Sequence, residues 1–193
     1  VDTDNYIGTG ISTNGDGNII FARYTIIEET TVSGLEIVLS SQSSVGAEIY
    51  SFLLPESSLL NDDGSLNQPP DYSNKIAENQ DGVIVTEWNI DNNMIYAPLE
   101  ETTLSPGTYY ACIELYRSDN GGDVNVLDDQ TLSQPWNASL LYVQETNQVY
   151  TNGTAIGIRL AIGNYELPED YIIEIPGIEG CTDETAINYT PDA

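Results

Sequence analysis

Across residues 155–162 the chain reads AIGIRLAI. Ile156, Ile158, Leu160 and Ile162 fall on one side of an extended backbone, and Ala155, Gly157, Arg159 and Ala161 on the other. A two-residue period is the side-chain repeat of a β-strand and does not fit the 3.6-residue repeat of a helix. Similar runs rich in Thr, Val, Ile and Tyr recur at 19–27, 31–40, 47–54, 82–90, 104–116, 123–127, 138–143 and 171–175. In 31–40, Leu35, Ile37 and Leu39 share a face and Glu36 opposes them. In 82–90, Ile84, Trp88 and Ile90 share a face, and Tyr109 and Tyr110 point to opposite sides of one strand. Asn, Asp, Gly and Ser clusters separate the runs. Asn152-Gly153 reads as a two-residue hairpin turn, because both its positions need positive φ. The stretch LLPESSLLNDDGSLNQPPDYSN reads as connection, and its Pro69-Pro70 pair cannot lie in a central strand.

About eight to ten short strands joined by polar connections predict an all-β fold, an antiparallel sandwich of jelly-roll or immunoglobulin-like type. A chain of 193 residues holds one such domain and a small appendage. The expected division is a polar, Gly-rich arm or lead-in at 1–17, the sandwich at 18–176, and a linker with a separate segment at 177–193, since Pro176-Gly177 stops the last strand.

Four basic residues, Arg23, Lys75, Arg117 and Arg159, face thirty-one acidic ones, giving a net charge of −27. Nucleic acid and anionic membrane surfaces would repel such a chain. The acidity suits an exported protein that must stay soluble, or one whose loops bind divalent cations. No run of apolar residues is long enough to span a bilayer as a helix. Val1-Asp2-Thr3-Asp4 lacks the basic and apolar regions of a leader, so either the protein is not exported or a leader was removed, and the absence of an initiator Met favours a processed or trimmed start.

The absence of histidine removes Ser-His-Asp and Cys-His catalysis and histidine-bound zinc. Two cysteines cannot build a four-thiolate site, and no phosphate-cradling glycine motif is present; Gly8-Thr9-Gly10 reads as loop. Carboxylate pairs suited to glycoside hydrolysis arise by chance in so acidic a chain, so none is nominated and the chain is read as non-enzymatic. Calcium is the expected ligand, if any. Asp2, Asp4 and Asn5, then Asn14, Asp16 and Asn18 in TNGDGN, resemble the first half of a calcium loop without its distal Glu; Asp62 and Asp63, and Asp128 and Asp129, are further candidates. The same residues build ordinary Asx turns, which bond their own backbone. Tyr72, Tyr96, Trp136 and Tyr142 lie in or near connections, where rings can stack on sugars or fill the edge of the core. Asn137, Asn152 and Asn188 head N-glycosylation sequons. Cys112 sits mid-strand and reads as a small buried hydrophobe; pairing it with Cys181 would require the tail to fold back over that strand.

The chain closes on GCTDETAINYTPDA. This resembles a repeat of exported Bacteroidota proteins, G-C-T-D-x-x-A-x-N-Y-x-P-x-A, matched at Gly180, Cys181, Thr182, Asp183, Ala186, Asn188, Tyr189, Pro191 and Ala193. In that family the repeat continues into a second cysteine that pairs with the first. The resemblance implies a piece of a longer protein cut inside a module, and an extracellular, disulfide-permissive setting. TTVSGLEIVLSSQSSVGAEIY and LSPGTYYACIEL are similar in pattern to accessory β-domains of surface proteins exported by the type IX route. Two functions are therefore expected. One is a structural or adhesive module of an extracellular surface protein or filament, whose partners are copies of itself or neighbouring domains and whose sheet edges or terminal segments join by strand addition. The other is a carbohydrate-binding module that contacts glycans.

Overall fold

The structure, a computed structural model, describes residues 11–12 and 15–175. It is an all-β sandwich of antiparallel sheets. The strands are β1 (Ile11–Ser12), β2 (Asn18–Ile26), β3 (Thr30–Val38), β4 (Glu48–Pro55), β5 (Ala77–Glu78), β6 (Val83–Ile84), β7 (Met94–Leu104), β8 (Gly107–Tyr116), β9 (Asn125–Val126), β10 (Asp128–Asp129), β11 (Ser139–Val143), β12 (Gln148–Thr151), β13 (Ala155–Ile156) and β14 (Ile158–Ile162); one short helix, α1, spans Glu87–Asp91. The larger sheet runs β12-β11-β2-β8-β4-β5, with β6 also on β4, and the smaller one runs β14-β3-β7. β1 pairs with β9 and β10 with β13.

Alternation sets the core. Ile20 and Ala22 of β2, Ile49 and Leu53 of β4, and Ala111, Ile113 and Leu115 of β8 pack in one core with Val32, Leu35, Ile37, Ile95 and Ala97 of the smaller sheet and with Leu39 just past β3. The intervening residues of the larger sheet are apolar too. Ile19, Phe21, Phe52, Leu54, Tyr110, Cys112, Leu140, Tyr142 and Val149 form a second cluster on its outer face, closed over by Leu59, Leu66 and Tyr72. The connection 56–76 is therefore a lid rather than a free loop. Arg23 Nη2 anchors it to Glu56 Oε1 at 2.7 Å, and Gln68 bonds both backbone groups of Val149, donating at 3.1 Å and accepting at 2.7 Å. A strand that is apolar on both faces must be covered on both, and the lid supplies the second cover.

Several local expectations are corrected. Residues 82–90 do not form one strand: after β6 the chain turns into α1. Thr86 Oγ1 accepts the N–H of Asn89, and Asn89 Oδ1 accepts the N–H of Thr86, a capping box that outcompetes extension. β7, absent from the sequence reading, is the longest strand at 11 residues. It tolerates Pro98 because it lies at the edge of its sheet and Pro98 faces Gly34 beside a register shift. Gly34 is required there, since a Cβ would lie 2.4 Å from the Tyr96 ring and hydroxyl. Asn152-Gly153 is not a hairpin turn, because β12 and β13 pair with different strands; the hairpin lies between β11 and β12, where Asn147 adopts φ 55°. The alternation of 155–162 holds for Ile156 and Ile158 and then slips: a register shift buries Ala161 and leaves Ile162 exposed. Residues 171–175 form no strand; they lie against β6 and β7, with the Ile84 N–H donating to Glu174 O and the Tyr171 hydroxyl bonded to the Tyr96 backbone.

Candidate functional site

Two surface features combine geometry and chemistry. The first is a cleft of about 300 Å³ on the outer face of the larger sheet, where the lid stops. Phe52, Tyr72 and Tyr142 make its aromatic wall, with edge-to-face centroid distances of 6.1 Å for Phe52–Tyr72 and 6.0 Å for Tyr72–Tyr142. Lys75, Glu114 and Gln144 supply its polar rim. Lys75 Nζ lies 4.7 Å from the Phe52 ring centroid and bonds Glu78 at 2.6 Å, so the cation is fixed at the mouth. The Tyr72 hydroxyl is buried without a partner among the described residues. Burial, then the neighbouring Tyr142, pushes that phenol far up, so it stays a neutral donor. Beyond the mouth, Tyr50 and Tyr116 meet edge to face at 5.4 Å, and their hydroxyls donate to Glu48 and Glu114.

Of the four nominated aromatics, the fold brings Tyr72 and Tyr142 together at this cleft. Tyr96 is buried elsewhere, stacked on Tyr165 at 5.4 Å, with its hydroxyl donating to Ser33 O. Trp136 is exposed, before β11. The four therefore form no single row. Phe52, Lys75, Glu114 and Gln144 were missed. The available signal was EIYSFLLP, whose Tyr50, Phe52 and Leu54 fall on the face opposite Ile49 and Leu53.

The calcium candidates are scattered. Asp2, Asp4, Asn5 and Asn14 lie outside the described residues. Asp16 Oδ1 accepts the Arg117 N–H at 2.8 Å; that bond, outweighing the small cost of burial, lowers its pKa. Asn18 donates to Gly15 O and accepts from the Gln144 N–H, so its side chain stitches β2 to β11. Asp62 is exposed, and Asp63 Oδ1 accepts both the hydroxyl and the N–H of Ser65. Asp129 does the same for Thr131, and Asp128 accepts from the Thr154 hydroxyl. The bonds at Asp63 and Asp129 are those of Asx turns. Among the described residues, no three Asp, Glu or Cys side chains are grouped to hold a metal ion. Cys112 is a free, fully buried thiol that donates to Tyr110 O; burial raises its pKa well above the usual thiol range, and Cys181 lies outside the described residues.

The second feature is an open flank. Ile26, Ile27 and Tyr24 of the β2 end and Leu160 and Ile162 of β14 line a groove of about 380 Å³ between the two sheets. Ile27 is 85% exposed and Ile162 53%, and the charged groups at the groove are Glu28 and Arg159. On a chain of charge −27 whose four cations each pair with a carboxylate, this is an apolar window of nearly balanced charge.

Comparison with protein-family models, with curated proteins and with solved structures found no match to this chain.

Proposed function

We propose that the chain is a non-enzymatic structural or adhesive module of an extracellular surface protein or filament, working through protein–protein contact with copies of itself or neighbouring domains. The observation that supports this reading is the open flank. A protein this acidic keeps its exterior charged, yet it leaves Ile27 and Ile162 in water beside Ile26 and Leu160. Covering that groove with a partner stabilises the contact by about 25 cal/mol per Å² of apolar surface removed. The test is sedimentation of the full chain against Ile27→Asp/Ile162→Asp at roughly 0.5 M NaCl, where the screening length is about 4 Å. Concentration-dependent association, lost in the variant, is expected. A full chain that stays monomeric across the concentration range refutes the reading.

A second reading, glycan binding, rests on the cleft. Its aromatic wall and its Lys75, Glu114 and Gln144 rim combine ring surface with fixed donors and acceptors, as a sugar site requires. A glycan array read with the full chain and with Lys75→Ala discriminates: a hit that the variant loses supports it, and no hit removes it.

A further inference from the structure

Sheet edges attract extended segments unless something occupies their free backbone groups. In this sandwich, several edges are occupied by the chain's own side chains or backbone. The outward N–H and C=O of Val149 on β12 are both bonded by the Gln68 amide. Those of Tyr96 on β7 are both bonded by the Tyr171 hydroxyl. The Ile84 N–H of β6 donates to Glu174 O.

The open flank differs. In an antiparallel pair, successive residues turn their backbone groups alternately toward and away from the partner. Val38 N–H donates to Gly157 O, so Gly157, Arg159 and Ala161 turn toward β3 and Leu160 turns away. Arg23 N–H donates to Ala138 O on the β11 side of β2, so Thr25 turns to that side as well, beyond the point where β11 ends opposite Ala22. The Thr25 and Leu160 backbone groups thus open on the groove from opposite sheets. Among the described residues no bond occupies them, as Gln68 and Tyr171 occupy the other edges. The Tyr24 hydroxyl, bonded to Ile158 O, closes the groove at one end. An extended segment laid between the two edges meets Thr25 with one set of alternate residues and Leu160 with the other.

We propose, building on the contact reading above, that this groove is completed by an extended strand donated by a second copy of the chain, namely its residues 1–10. At the two ends, 1–10 and 176–193 lie outside the described residues. The second carries Pro176 and Pro191, which interrupt strand pairing, whereas VDTDNYIGTG has no proline and places Val1, Thr3, Asn5 and Ile7 on one face of a strand. Ten extended residues reach about 33 Å, ample for a short edge. The course of the chain at β1 favours a neighbour's groove over the chain's own. Ile11 pairs with Val126 and Ser12 with Asn125, so the chain comes into β1 from the side of Leu127–Asp129. Asp128 and Asp129 face Ile156 and Ala155, the end of the β13–β14 run remote from Leu160 and Ile162. Ile11, the first described residue, thus enters β1 from the end of the sandwich remote from the groove, a course that favours a head-to-tail contact with another copy.

The test uses the full chain at roughly 0.5 M NaCl. Its association is followed by sedimentation for the wild type, Ile7→Pro, which removes an N–H and breaks pairing in the donated segment, and Ile162→Asp, which charges the groove. Each substitution is expected to weaken association at least about tenfold. A synthetic peptide of residues 1–10 is expected to dissociate the wild-type assemblies, and its Ile7→Pro form to leave them intact. Circular dichroism checks that both variants stay folded, as expected for an exposed Ile162, and reads the fold directly for Ile7→Pro. Association lost with Ile162→Asp but untouched by Ile7→Pro and by the peptide overturns this inference and leaves the contact reading standing. Absence of association in the wild type overturns both.

Discussion

Leu59→Ala tests whether the polar connection between β4 and β5 is a true second core layer. Leu59 has no solvent exposure and belongs to the cluster of Phe21, Phe52, Leu54, Tyr110 and Cys112 on the outer sheet face. Truncation removes three buried carbons. At roughly 0.8 kcal/mol each, the transfer loss is about 2.4 kcal/mol, and incomplete collapse of the cavity raises it to about 3–4 kcal/mol. For a domain of this size each kcal/mol moves Tm by about 2–4 °C, so calorimetry should record a fall of about 6–15 °C. Leu132→Ala, at a residue 48% exposed, is the control and should shift Tm by no more than about 2 °C. The lid also carries Tyr72 and Lys75, so urea unfolding followed by near-ultraviolet dichroism should report loss of their ordered environment in the same transition. If Leu59→Ala melts within about 2 °C of the wild type, the lid does not pack as a core, and the cleft beneath its end loses its physical basis.

Two further outcomes follow from buried polar and titratable groups. Asn89→Ala removes the acceptor for the Thr86 N–H and the donor to Met94 O at a residue 1% exposed, and should cost about 2–3 kcal/mol in urea unfolding; Asn89→Asp should restore the cap but not the bond to Met94 O. Burial raises the phenols of Tyr72, Tyr110 and Tyr171 and the Cys112 thiol. The unfolded chain releases those protons first, so the stability they contribute is fully present below about pH 8.5 and falls as pH rises through the unfolded thiol and phenol ranges, near 8.5 and 10. Alkaline titration should show these tyrosines ionising with unfolding rather than before it; smooth phenolate absorbance without a structural transition would contradict the burial described.

The β-sandwich class was legible because alternation is local: Leu35, Ile37 and Leu39 need only their own backbone to share a face. Acidity, the missing histidine and the buried Cys112 were equally plain, since composition and a strand-centre position carry them. What failed were decisions made between distant segments. Trp88 and Ile90 fit a strand until Thr86 and Asn89 close a cap on each other. β7 carries a proline and was passed over, yet an edge position beside Gly34 accommodates it. Asn152-Gly153 has the residues of a hairpin, but its flanking strands pair with β11 and β10, so it crosses between sheets.

The site divides the same way. Tyr72 and Tyr142 could be named as aromatics near connections, and their meeting at 6.0 Å depends on a lid held by Arg23–Glu56 and Gln68–Val149. The sequence by itself determined the strands' two faces, because period-two alternation is written into each segment. Only the tertiary structure decided which edges are occupied: that depends on where Gln68, Tyr171 and Glu174 arrive in space, and on Thr25 and Leu160 being left facing one groove.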